Sequence, residues 1–157
     1  MSIFYHGVLL AIMAGAAVVD SKHFIIPNKL ILFGVLFSLA WALVGALYAG
    51  SVALLLYWAK GLLAGGAPIF LIILITRGGM GAGDMKLMAV VGAFLGWRTA
   101  FVVLFFSIIF GGAYATALLL LRKKTSKDRI PFGPSIAFAC SFVVLFYPQI
   151  RDMSAIL

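Results

Sequence analysis

GGMGAGDMKL (Gly78–Leu87) sets one aspartate, Asp84, between a glycine-rich turn and an apolar run that continues through MAVVGAFLGW to Trp97. The chain has no glutamate and only four aspartates in 157 residues, so a carboxylate in this setting asks for a reason. From Met85 to Trp97 the run is thirteen residues, about 20 Å as a helix. A bilayer's hydrocarbon core is about 30 Å thick. With Trp97 anchored at one interface, the helix starts below the opposite surface and Asp84 is expected in the embedded part of the protein, or under a local thinning of the bilayer. Irregular backbone at that depth must pack in protein or line a wet cavity. Gly78, Gly79, Gly81 and Gly83 are the residues a re-entrant turn would use.

The bilayer itself follows from composition. Hydrophobic residues make up 65% of the chain and charged residues 10%, more apolar surface than a soluble domain of this size can hide. The expected fold is an all-α integral membrane protein in one polytopic domain, residues 1–157. Its six spans run over about 3–19, 30–49, 53–75, 85–97, 99–121 and 132–150. The start of the chain has no basic region or clear small-residue cleavage site, so residues 3–19 read as a retained helix. Tyr48, Tyr57, Trp58, Trp97 and Tyr147 fall near span ends, as interfacial aromatics do. Pro68 should bend the third span. Gly61-x-x-x-Gly65 and Gly92-x-x-x-Gly96 mark close helix contacts.

The formal charge of +8 is explained by topology and needs no nucleic-acid partner. Lys22, Lys29, Arg77, Lys86, Arg122, Lys123, Lys124, Lys127 and Arg129 gather in alternate loops, against Arg98 and Arg151 on the other side. This asymmetry puts the rich loops in the cytoplasm and both termini outside. Lys60, within a span, snorkels to the outer headgroups. Cys140 reads as a small buried hydrophobe, and a lone cysteine excludes both an intramolecular disulfide and a paired-CxxC zinc site. No metal or cofactor is expected.

Two acids remain for chemistry. Asp128 and Asp152 sit beside Arg129 and Arg151 in polar segments. Asp20, in VVDSKHFIIPN (Val18–Asn28), follows the first span, and Asp84 precedes the fourth, so both arrive at the same face at similar depth. Each has a plain alternative: Asp84 as a helix cap, Asp20 as a solvated loop acid near Lys22. As a pair, close carboxylates share a proton and can activate water against a peptide carbonyl. His6 and His23 are isolated, and no serine lies in a GxSxG elbow.

The motif Gly81-Ala82-Gly83-Asp84 with the following Lys86-Leu87 resembles the GxGD signature of type IV prepilin peptidases. DSKHFIIPNKL, with Asp20 seven residues before Pro27-Asn28, resembles the partner motif, and IPFGPSI (Ile130–Ile136) is similar to a later segment of that family. The resemblance implies a membrane aspartic endopeptidase that removes the basic leader of type IV prepilins or pseudopilins at the cytoplasmic border of the bacterial inner membrane. By that resemblance Asp20 and Asp84 are the catalytic pair, and Gly81 and Gly83 form the turn that lets substrate backbone approach Asp84. Lys22, Asn28 and Lys86 are accessory. The sequence opens on the first span with Cys140 its one cysteine, where longer members of the family carry an extra N-terminal region with paired cysteines. It therefore resembles the short, peptidase-only branch of Flp/Tad pilus systems, with cleavage but no N-methylation expected. Two other classes compete. A proton-coupled transporter would place its acids near mid-membrane and often shows inverted repeats. A non-catalytic pilus-assembly protein would tolerate loss of either acid.

Overall fold

The computed structural model describes residues 3–76, 81–121 and 131–146. The glycines Gly78 and Gly79, the basic stretch Arg122–Arg129, Tyr147 and the end of the expected sixth span lie outside the described residues. Among the described residues there are six helices: α1 Ile3–His23, α2 Asn28–Ala49, α3 Ala53–Ile75, α4 Ala82–Leu95, α5 Trp97–Leu120 and α6 Gly133–Leu145. Four of them, α1, α2, α3 and α5, are long and apolar enough to cross a membrane. Large apolar side chains such as Leu36, Leu47, Leu63, Ile75 and Phe105 are exposed on them, as suits a lipid-facing surface.

The short fourth helix is present and is the centre of the molecule. It packs against all five other helices, and nine of its fourteen residues are buried. A helix apolar on every side is stable only when surrounded. Leu87, Met88, Val90 and Val91 meet Leu9 and Met13 of α1, Ile69 of α3, Val103 of α5, and Ile136 and Val143 of α6 in one core. The closest approach is to α3. A Cβ placed on Gly61 or Gly65 would collide with the backbone carbonyls of Gly92 and Met88, and one on Gly92 with the carbonyl of Gly61. The expected small-residue contact is therefore a single α3–α4 seam.

The boundaries correct the sequence reading in places that matter. The helix α1 does not stop at residue 19 but runs on to His23, with Lys22 and His23 in its last turn, where positive charge suits the C-terminal dipole. Asp20 is thus helical. The helix α4 starts at Ala82 and ends at Leu95, so Lys86 is in its first two turns and not in a loop. Trp97 does not end α4. Gly96, at φ 82°, breaks the chain there, and Trp97 opens α5 with Arg98 stacked 5.2 Å over its ring. A Cβ on Gly96 would run into the Tyr57 ring, so two independent constraints hold glycine at this corner. Among the described residues, the helix α6 runs over Gly133–Leu145. Cys140 is free and buried, as expected.

Candidate active site

Asp20 and Asp84 reach one cavity of about 310 Å³, lined also by Phe24, Ile25, Ile26, Asn28, Gly81, Ala82, Gly83 and Lys86. The two acids are only 5% and 8% exposed, against the near-full exposure a solvated loop acid would show. The plain reading of Asp20 is therefore corrected: its side chain is buried where α1 packs along α6, although residues 21–25 after it are exposed.

That packing also supplies its partner. The backbone N–H of Gly133, the first residue of α6, donates to Asp20 Oδ2 at 2.9 Å in a buried bond. A carboxylate near the C-terminal end of its own helix is disfavoured by the dipole, but here it sits against the positive N-terminal end of another. Gly133 has no room for anything larger, since a Cβ would lie 2.6 Å from Asp20 Oδ2.

Asp84 stands third in α4, behind Gly81, whose extended backbone (φ −75°, ψ 137°) forms the cap position. Its backbone N–H donates to the Gly81 carbonyl at 3.1 Å. Gly81 holds the cap position and no side chain bonds there, so Asp84 does not cap the helix. Asp20 keeps further lone pairs for the cavity, because its one bond uses about a quarter of its acceptor capacity.

The glycines of the motif answer to this chain's own packing. Gly83 faces Ile26, whose side chain lies 3.3 Å from where a Cβ would stand, and a Cβ on Gly81 would come within 3.1 Å of Asp84 Oδ2. Ile26 is buried in the link between α1 and α2, so Gly83 is what allows that link to close over the first turn of α4. Of the accessory residues, Lys86 and Asn28 are joined, with Lys86 Nζ donating to Asn28 Oδ1 at 2.9 Å. Lys22 is exposed and does not line the cavity. Sequence reasoning missed Gly133 and Ile26. The IPFGPSI segment was a signal for the first, but which residue of it mattered depended on where α6 begins. For Ile26 the only signal was an apolar residue inside a turn.

A bundle of apolar helices enclosing a short central one, with two buried carboxylates in a shared cavity at one end, defines a polytopic membrane protein with a paired acidic site. The model of the type IV leader peptidase family matches residues 7–116. A prepilin leader peptidase/N-methyltransferase of Bacillus subtilis (strain 168) is 32% identical over 142 residues, covering 88% of this chain and 54% of that protein. One of Aeromonas salmonicida (strain A449) is 34% identical over 139 residues, covering 82% of this chain and 44% of that protein. The leader peptidase HopD of Escherichia coli is 33% identical over 137 residues, 80% of this chain and 81% of its own length. No solved structure matches this chain. The chain belongs to the type IV leader peptidase family, and it spans about half the length of the first two of these relatives.

Proposed function

We propose that this protein is an aspartic endopeptidase of the bacterial inner membrane that removes the leader peptide of type IV prepilins or pseudopilins, with Asp20 and Asp84 as its catalytic pair. The observation that carries the reading is the meeting of these two acids, from α1 and α4, in the wall of one cavity while both are nearly withdrawn from solvent. In the reaction, one carboxylate takes a proton from water as its oxygen attacks the scissile carbonyl carbon. The other gives a proton to the departing amine as the C–N bond breaks. No covalent intermediate forms, and the pair ends with the same number of protons it began with.

The finer features rest on less. The basic residues gathered in alternate loops support a cavity near the cytoplasmic face and both termini outside. Flp-type prepilins are the proposed substrates, and residues 1–157 the proposed single peptidase domain. Cleavage without N-methylation is supported by the match along 81% of HopD, which is named as a leader peptidase alone.

The test is co-expression with a Flp-type prepilin, reading leader removal by mobility and mass at matched membrane levels. Wild type should cleave, and Asp20→Asn and Asp84→Asn should each lower the rate by about 10²–10⁴-fold. The product mass should show a free, unmethylated N-terminus. The purified enzyme should show a bell-shaped pH profile whose two limbs belong to the pair. Cleavage by both mutants at the wild-type rate would return the two acids to a purely structural role.

A further inference from the structure

A second concavity of about 420 Å³ lies beside the acid cavity and is almost wholly apolar. Three helices build it, each with one stripe. The helix α3 supplies Leu63, Gly66, Ala67 and Phe70, and α2 supplies Ile31 and Val35. Met85 and Ala89 of α4 form the floor, with Lys86 at its edge. These spacings of three, four and seven are those of a single helix face, so three parallel stripes converge on one trough running along the helices. The trough is what remains when one helix is taken out of a bundle.

Two further features fix its ends. Toward the α2–α3 turn the walls are tied together, because Trp58 Nε1 donates to Ser38 Oγ at 3.0 Å, and that hydroxyl donates to the Val35 carbonyl. At the other end the trough meets the acid cavity at Lys86, which lines both. Met85, on its floor, directly follows Asp84 in the chain. On its lipid side Leu63 is 69% exposed and Phe70 48% exposed, as ridges flanking the small Gly66 and Ala67. A shallow floor of small residues lets a helix backbone come close, where hydrocarbon offers no hydrophobic drive for association. From Leu62 to Phe70 the wall is about 12 Å long at 1.5 Å per residue, or roughly two helical turns.

We propose that this groove seats about two turns of the substrate's own apolar helix, so that the peptide bond ahead of that helix comes to lie between Asp20 and Asp84. The proposal rests on the peptidase reading for its substrate, and it adds where that substrate enters. The helix leaves the bilayer sideways between α2 and α3, and the polar leader continues past Lys86 into the acid cavity. Ala67 and Gly66 set how bulky the helix face against them can be.

The experiment has two arms. In the first, a type IV prepilin carrying a photoreactive phenylalanine analogue in the first two turns of its apolar helix is irradiated in membranes containing the peptidase with Cys140→Ala and either Leu63→Cys or Leu71→Cys as its single cysteine. Leu71 is exposed on α3 but does not line the groove. Adducts mapped to the segment around residue 63, and not to that around 71, support the proposal. Adducts equal at both overturn it, as does a groove labelled only by a photoreactive lipid or by a second copy of this chain. In the second arm, Ala67→Phe fills the groove. Its kcat/KM for the full prepilin should fall at least tenfold, while a short peptide spanning the cleavage site without the apolar helix is cut within twofold of wild type. Retained peptide cleavage also shows that the variant is folded. Equal effects on both substrates, or none on either, overturn the proposal. Wild type that cuts neither substrate would sink the peptidase reading, while the first arm still decides the groove.

Discussion

A carboxylate at the C-terminal end of a helix faces the unfavourable pole of its dipole, and Asp20 occupies that position in α1. It is tolerated because the N-terminus of α6 comes to it and Gly133 donates. A charge-assisted bond of this kind contributes about 1.5–3 kcal/mol. Gly133 is therefore expected to be as sensitive as the acids in its neighbourhood. Gly133→Ala should displace the Asp20 carboxylate and cut prepilin processing by about 10²-fold, the order a misplacement of about 1 Å costs, at an unchanged level of protein in the membrane. Activity equal to wild type would mean that this N–H does not position Asp20. At this scale the two acids themselves were legible in the sequence, since only four exist and two of those stand in polar segments beside arginines. Their environments were not. Burial and the Gly133 bond are properties of chain segments far apart in sequence, and no local pattern around Asp20 encodes which helix end will cover it.

Among the elements, α4 does most to shape the site. Its length was readable from the distance between the glycine turn and Trp97, and its central place follows from having no polar face. Its exact start was not readable, because Gly81 and Gly83 are poor helix signals and Gly83 is drawn into the first turn by its contact with Ile26 of the α1–α2 link. The α3–α4 seam makes a stability prediction. Gly92→Leu would drive a side chain into the Gly61 carbonyl and the Gly65 backbone, and overpacking of this sort costs roughly 1–3 kcal/mol. The thermal midpoint in detergent should fall clearly, and cleavage with it, because α4 carries Asp84. Gly112 of α5 has nothing near its missing side chain, and Gly112→Ala should leave the midpoint where it is. Equal midpoints for the two variants would show that the seam does not hold α4.

Taken whole, the described residues form a ring of lipid-facing helices about a buried one, with the acid cavity at one end. The charge distribution predicts which end lies inward. A reporter that is active only outside the cytoplasm should be active when fused after Leu157 and inactive when inserted within Arg122–Arg129. The reverse result would invert the orientation and put the acid cavity on the outer face. Amino-acid sequence by itself determined that this chain lives in a bilayer, that it forms a helical bundle with a short fourth helix, and that Asp20 and Asp84 are the acids to watch. Those conclusions depend on composition, run length and scarcity, which need no knowledge of neighbours. Only the tertiary structure decided that Gly133 serves Asp20, that Gly83 makes room for Ile26, and that a groove opens from the acid cavity between α2 and α3. Each of these depends on which surfaces meet when separate helices pack, and packing is settled by the shapes of all of them together.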